Sequence, residues 1–162
     1  MTWLHYSPTS IHQFRRSRIG QVMSDSPYQK PHGFWITDDS DQCWKSWCVD
    51  EGFHLHRLTY KHEVILDESR VRIIQSEADI AAFTHAYQQL HYRRRGDSPI
   101  DWPKVAHEYA GVIITPYQWS VRLEFDWYYG WDCAGGVIWD GTAIKSVRLI
   151  GVDFGIIGRR FT

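Results

Sequence analysis

The chain has 162 residues, of which 43% are hydrophobic and 23% charged, a balance that supports a folded core and excludes a disordered chain. Its formal net charge of -1 gives no global attraction to nucleic acid or to a membrane surface, and no apolar run approaches the roughly 20 residues of a membrane span. Three cysteines, Cys43, Cys48 and Cys133, are too few and too odd in number for a disulfide scaffold, and Met1-Thr2-Trp3-Leu4-His5-Tyr6 lacks the pattern of a signal peptide, so a reducing, cytoplasmic setting is expected.

Along the chain, Trp3 to Ser7 reads as a strand stopped by Pro8. Thr9 or Ser10 can cap a short helix over Ile11 to Ile19, with Ile11, Phe14 and Arg18 on one side. Gly20 to His32 is a polar loop. Gly33-Phe34-Trp35-Ile36-Thr37 is a strand of β-favouring residues. Asp38 to Asp41 is a turn able to cap a helix through Trp44, Trp47 and Cys48. His62 to Leu66 is a strand, and Val71 to Ile74 extends or follows it. The clearest helix is Glu77 to Leu90: Ser76 and Asp79 have capping-box spacing, and Ile80, Phe83, Tyr87 and Leu90 recur on one face.

Arg93-Arg94-Arg95-Gly96 reads as a basic loop. Asp101 caps a second helix with Pro103 in its first turn, and Val105, Ala106 and Tyr109 form its inner face. Gly111 to Thr115 is continuously apolar and predicts a strand buried on both faces. Trp119 to Trp131 is aromatic and mixed, a strand or a packed loop. Gly136 to Asp140 and Ala143 to Ile150 are the last strands, the latter with Ile144, Val147 and Leu149 apolar. No repeat or linker divides the sequence. Short strands separated by a few helices predict one α+β domain over residues 1–162, with mostly antiparallel sheets.

Nine Trp and nine Tyr are the unusual feature. Most such rings fill cores, but several together can wall a site for a flat ligand. Cys43, Cys48, His54 and His56 are near enough in sequence to be weighed as zinc ligands, although the short Cys-x-x-Cys knuckle is missing, and no metal site is expected. Cys133 with His107 could form a nucleophile pair, without a local signature for one. Arg15-Arg16, Arg93 to Arg95 and Arg159-Arg160, with exposed aromatics, could contact single-stranded nucleic acid, which the neutral overall charge disfavours.

Two segments together resemble the NAD-binding half of ADP-ribosyltransferases of the diphtheria-toxin and poly(ADP-ribose) polymerase branch. That family carries a first strand ending in His-Gly-Ser or similar, matched here by Leu4-His5-Tyr6-Ser7. It then has a glycine, an apolar residue and an aromatic triad residue, matched by Gly33-Phe34-Trp35-Ile36-Thr37-Asp38, and a helix with a second ring, for which Trp44 and Trp47-Cys48 are candidates. The resemblance implies an ADP-ribosyltransferase-like fold that holds NAD. It implies that His5, Tyr6, Ser7, Gly33, Trp35, Thr37 and Trp47 contact NAD, and that His5, Trp35 and a carboxylate carry catalysis.

The sequence departs from the family at three points. Trp35 replaces a tyrosine, Tyr6 replaces a glycine, and Gly135 stands where the catalytic glutamate is expected. Asp132 is the nearest replacement, with Glu124 and Asp126 behind it. Trp127 to Asp140 also resembles proteins of bacteriophages. A phage origin would place the protein in the host cytoplasm, acting in counter-defence, including as an anti-CRISPR protein, or as a toxin. The resemblance therefore implies an NAD-dependent transferase modifying a host or phage-defence macromolecule, with a protein target favoured over nucleic acid and no membrane partner. The competing expectation is a binding protein that keeps the fold and has lost the chemistry.

Overall fold

The computed structural model describes residues 2–15, 30–89 and 99–153. Within them lie seven strands: β1 (Trp3–Ser7), β2 (Phe34–Ile36), β3 (Tyr60–Leu66), β4 (Val71–Ile74), β5 (Gly111–Ile114), β6 (Gly135–Ile138) and β7 (Ile144–Val152). Four helices accompany them: α1 (Trp44–Glu51), α2 (Glu77–Tyr87), α3 (Trp102–Glu108) and α4 (Asp126–Tyr129). The strands form two sheets, β1-β3-β7 and β2-β6-β5-β4. Every pairing is antiparallel except β4 with β5. The α+β class expected from the sequence is what the chain adopts.

The apolar residues sort into two layers. Trp3, Ile36, Val64, Leu66, Val71, Ile113, Ile138 and Ile144 pack together, joining residues of both sheets. On the other side of the four-stranded sheet, Ile80, Phe83 and Tyr87 of α2 and Trp102 and Val105 of α3 meet Trp127, Tyr128, Trp131 and Trp139. Most of the tryptophans are therefore packing residues. Some of their buried N–H groups find acceptors: Trp127 donates to Thr84 Oγ1 at 2.8 Å and Trp139 to the Tyr109 carbonyl at 2.7 Å, whereas that of Trp102 has no partner among the described residues.

Local chemistry explains the helix starts. Ser76 accepts from the Asp79 N–H, and Asp101 from that of Lys104, each satisfying an otherwise orphan donor. Pro103 sits in the first turn of α3, as read. For α1 the expectation fails: no side chain from the Asp38–Asp41 turn caps it. Instead Thr37 Oγ1 accepts from the Trp44 N–H at 3.0 Å while donating to the Ala134 carbonyl at 2.7 Å. Asp38 is occupied elsewhere, with Ser40 and with Thr115.

Other expectations are corrected. Residues 11–15 are not helical, because the Ile11 N–H donates to His62 Nε2 at 3.0 Å and Phe14 packs edge-on to Phe34; Arg18 and the rest of that stretch lie outside the described residues, as does Leu90. Of the two readings for Val71–Ile74, the second holds: it follows β3 as a separate strand and does not extend it, lying in the other sheet. Trp119–Trp131 is no strand but a packed run of helical turns over Trp119–Val121 and Asp126–Tyr129. In β7 only Ile144 is buried, and Leu149, opposite His62 on the inner side, is still 38% exposed.

Candidate active-site cleft

β1 and β2 meet at one antiparallel bridge. Leu4 and Thr37 exchange two backbone hydrogen bonds, of 2.8 and 2.9 Å. In an antiparallel ladder the next exchange would join Tyr6 and Trp35. It is not made. The Trp35 carbonyl instead accepts from His5 Nδ1 at 2.7 Å. The two sheets part here, and a cavity of about 390 Å³ opens between them.

The geometry fixes the state of His5. A carbonyl can only accept, so Nδ1 carries the hydrogen and the neutral ring keeps its acceptor lone pair on Nε2. Burial lowers the pKa of His5, the Trp35 carbonyl works against that shift, and the neighbouring His62 adds to it. The ring stacks on Phe34 with centroids 4.1 Å apart.

His5, Tyr6, Gly33, Trp35, Thr37 and Asp132 all line the cavity. They come from β1, β2 with its flanks and the loop before β6. Trp35 lies 5.3 Å from Trp131, a second lining ring. Among the described residues the Tyr6 hydroxyl is buried without a hydrogen-bond partner, and burial above all raises its pKa, so it stays a neutral donor. Gly33 has no room for a side chain, since a Cβ there would sit 2.7 Å from the Ile138 carbonyl oxygen.

Two expected ligand contacts are not brought to the cavity. Ser7 is absent from its lining and donates to the Thr9 carbonyl at 2.5 Å. Trp47 lies behind Trp44, stacked on it at 5.2 Å, and Trp44 is the ring that reaches the cavity. Trp44 and Trp35 are thus the aromatic candidates that the lining includes.

The carboxylate position is resolved physically. Gly135 lines the cavity, but a Cβ on it would lie 2.6 Å from the Ile36 carbonyl oxygen, so no glutamate fits this backbone. Asp132 is the acidic residue of the lining, while Glu124 and Asp126 are exposed outside it. Asp132 receives Lys30 Nζ at 3.1 Å on Oδ2 and Arg122 at 3.6 Å on Oδ1.

The remaining candidates separate from this site. Cys133 lines the cavity, but burial pushes its thiol up to about 12, leaving it protonated at neutral pH, and His107 is an exposed residue of α3. Among the described residues no group of three His, Cys, Asp or Glu side chains is placed to hold a metal ion, and Cys43, Cys48, His54 and His56 form none. Arg16, Arg93 to Arg95 and Arg159-Arg160 lie outside the described residues. No described helix is long and apolar enough to cross a membrane.

No protein-family model, curated protein or solved structure matches the chain. Its own geometry therefore carries the functional argument. Sequence reasoning missed Lys30, Arg57 and Trp131 in the lining. Lys30 stood in a stretch without periodicity and gave no signal, and Trp131 was one of many aromatic residues in its segment; its adjacency to Asp132 was the one available signal.

Proposed function

We propose that the cavity binds NAD and that the protein is an NAD-dependent ADP-ribosyltransferase acting on a macromolecule, a protein in preference to a nucleic acid. The observation that supports this most is the convergence of His5, Trp35 and Asp132, from distant parts of the sequence, on one cavity where two sheets part. The residues present fit such a ligand. The volume lies in the range of small-molecule sites and suits the nicotinamide-ribose part of a dinucleotide. Trp35 offers an apolar ring backed by the buried Trp131, and the Tyr6 hydroxyl, unpartnered among the described residues, can donate to a polar substituent such as a carboxamide.

NAD would supply an ADP-ribosyl group: its ribose–nicotinamide bond breaks, nicotinamide leaves, and the acceptor forms the new bond as it loses a proton. The chain's part is to bind and orient. His5 Nε2 can accept a hydrogen bond from a ribose hydroxyl. Asp132 supplies negative charge beside a ribose carbon that becomes positive as the bond breaks.

Binding without turnover is the second reading, and specific observations favour it. The family's glutamate position cannot hold a side chain, and Asp132 is already engaged by two cations. Such a protein would sequester a nucleotide or block a partner, including a phage-defence protein.

Calorimetric titration of NAD separates these readings. Micromolar binding is expected, reduced at least about tenfold by His5→Ala, the loss expected of a buried polar contact. Circular dichroism of the variant checks its fold, because His5 also stacks on Phe34. Release of labelled nicotinamide supports the transferase, binding without release supports the sequestering protein, and absence of NAD binding refutes both nucleotide readings.

A further inference from the structure

Lys30 does something inside this cavity that the nucleotide reading does not require. Its ammonium lies 5.6 Å from the centroid of the Trp35 ring and 3.1 Å from Asp132 Oδ2. It lines the cavity, and its side chain remains 36% exposed, so it can leave. A cation between an aromatic face and a carboxylate is the arrangement by which proteins hold organic cations, because the ring quadrupole and the carboxylate both favour positive charge. Trp131, nearly fully buried, backs Trp35 at 5.3 Å and borders the cavity. When Lys30 leaves, Arg122 still neighbours Asp132 at 3.6 Å and keeps a cation beside the carboxylate.

We propose that Trp35, Trp131 and Asp132 form a subsite for a flat organic cation, and that Lys30 occupies this subsite as an internal competitor until such a cation displaces it. The choice of ligand rests on the NAD reading above, because the oxidised nicotinamide ring carries the positive charge that the subsite selects and the reduced ring does not. Lys30 then acts as a specificity residue in two ways. It raises the threshold concentration for any ligand, and it disfavours neutral rings, which would leave Asp132 with Arg122 alone, whereas a cationic ring replaces the charge that Lys30 takes away.

Four probes test this by calorimetry: 1-methylnicotinamide, a cation; nicotinamide, its neutral counterpart; NAD; and NADH. Each is titrated into the wild type and into Lys30→Met and Asp132→Asn. The cations are expected to bind about tenfold more tightly than their neutral counterparts, on the scale of a partly desolvated cation–π contact with a carboxylate nearby. Lys30→Met is expected to tighten both cations several-fold by removing the competitor. Asp132→Asn is expected to abolish the discrimination while leaving thermal unfolding nearly unchanged, since Asp132 is partly exposed.

Equal affinity for charged and neutral rings in the wild type overturns the proposal, as does weaker cation binding in Lys30→Met, which would make Lys30 a ligand contact. The two readings fail separately. Binding of 1-methylnicotinamide without binding of NAD keeps the cation subsite and removes the dinucleotide. Binding of NAD and NADH alike keeps the dinucleotide and removes the cation subsite.

Discussion

The four-stranded sheet is covered on both faces, whereas the three-stranded sheet turns much of one face to solvent. Every residue of β5 and β6 is buried, while β7 buries Ile144 alone and exposes Leu149, Ile150 and Val152. The first sheet is a scaffold in which even a methyl group must be accommodated. The second is held more by its backbone ladder and a single inner face. The cavity lies on the seam, so it borrows rigidity from β6 and its histidine, His5, from β1.

The largest effect should come from breaking the scaffold. A Cβ at Gly136 would press on the Val112 carbonyl and lie 2.6 Å from Ile113 Cα, backbone atoms that cannot rotate away. Gly136→Ala is expected to cost about 3 kcal/mol or more, or to prevent folding, as read from urea unfolding. A cost under about 1 kcal/mol would mean that β5 and β6 separate more easily than their close approach implies.

A smaller effect belongs to the exposed sheet's fully buried histidine. His62 is fully buried opposite His5, accepts from the Ile11 N–H through Nε2, and has its pKa lowered by burial above all. The unfolded chain therefore binds protons that the folded chain resists. Stability is fully present above the ordinary value of 6.5 and is lost as pH falls below it toward the lowered folded value. Melting temperature should decline across that window, and His62→Gln should flatten the slope whatever it does to stability at neutral pH. An unchanged slope would assign the acid sensitivity to other groups.

The smallest effect should be Ile65→Thr, on the open face of β3 opposite exposed Ser146. It is expected to shift stability by no more than about 0.5 kcal/mol in the same urea experiment. A large loss would show that this face is covered in solution and would remove the contrast between the sheets.

What could be read in the sequence follows the reach of each interaction. The caps Ser76 and Asp101 act on N–H groups a few residues away, and both were legible. So was β5, where Gly111 to Ile114 is continuously apolar. The cap of α1 was not, because it comes from Thr37, whose hydroxyl is placed by a carbonyl at Ala134. Ile11 to Arg15 has the spacing of a helix, but the Ile11 N–H is claimed by His62 from another strand. Within the site, the resemblance put a ligand between the His5 and Trp35 strands, but that Asp132 lines the same cavity as both could not be read from the sequence. Trp47 was misplaced because Trp44 and Trp47, three residues apart on one helix, share a face, and only packing decides which ring is in front.

The bridge between Leu4 and Thr37 also has a consequence in time. The cleft needs β1, yet β1 joins its sheet through β3, which in turn pairs with β7 far along the chain. The opposite wall needs Asp132 and Gly136, again distant from β1 in sequence. Loop closure of this length must precede the contacts that reward it, so such pairings form late, after local elements such as α2 and α3. The cleft is therefore among the last features to assemble, and a nascent chain that has not yet delivered β6 and β7 cannot carry it.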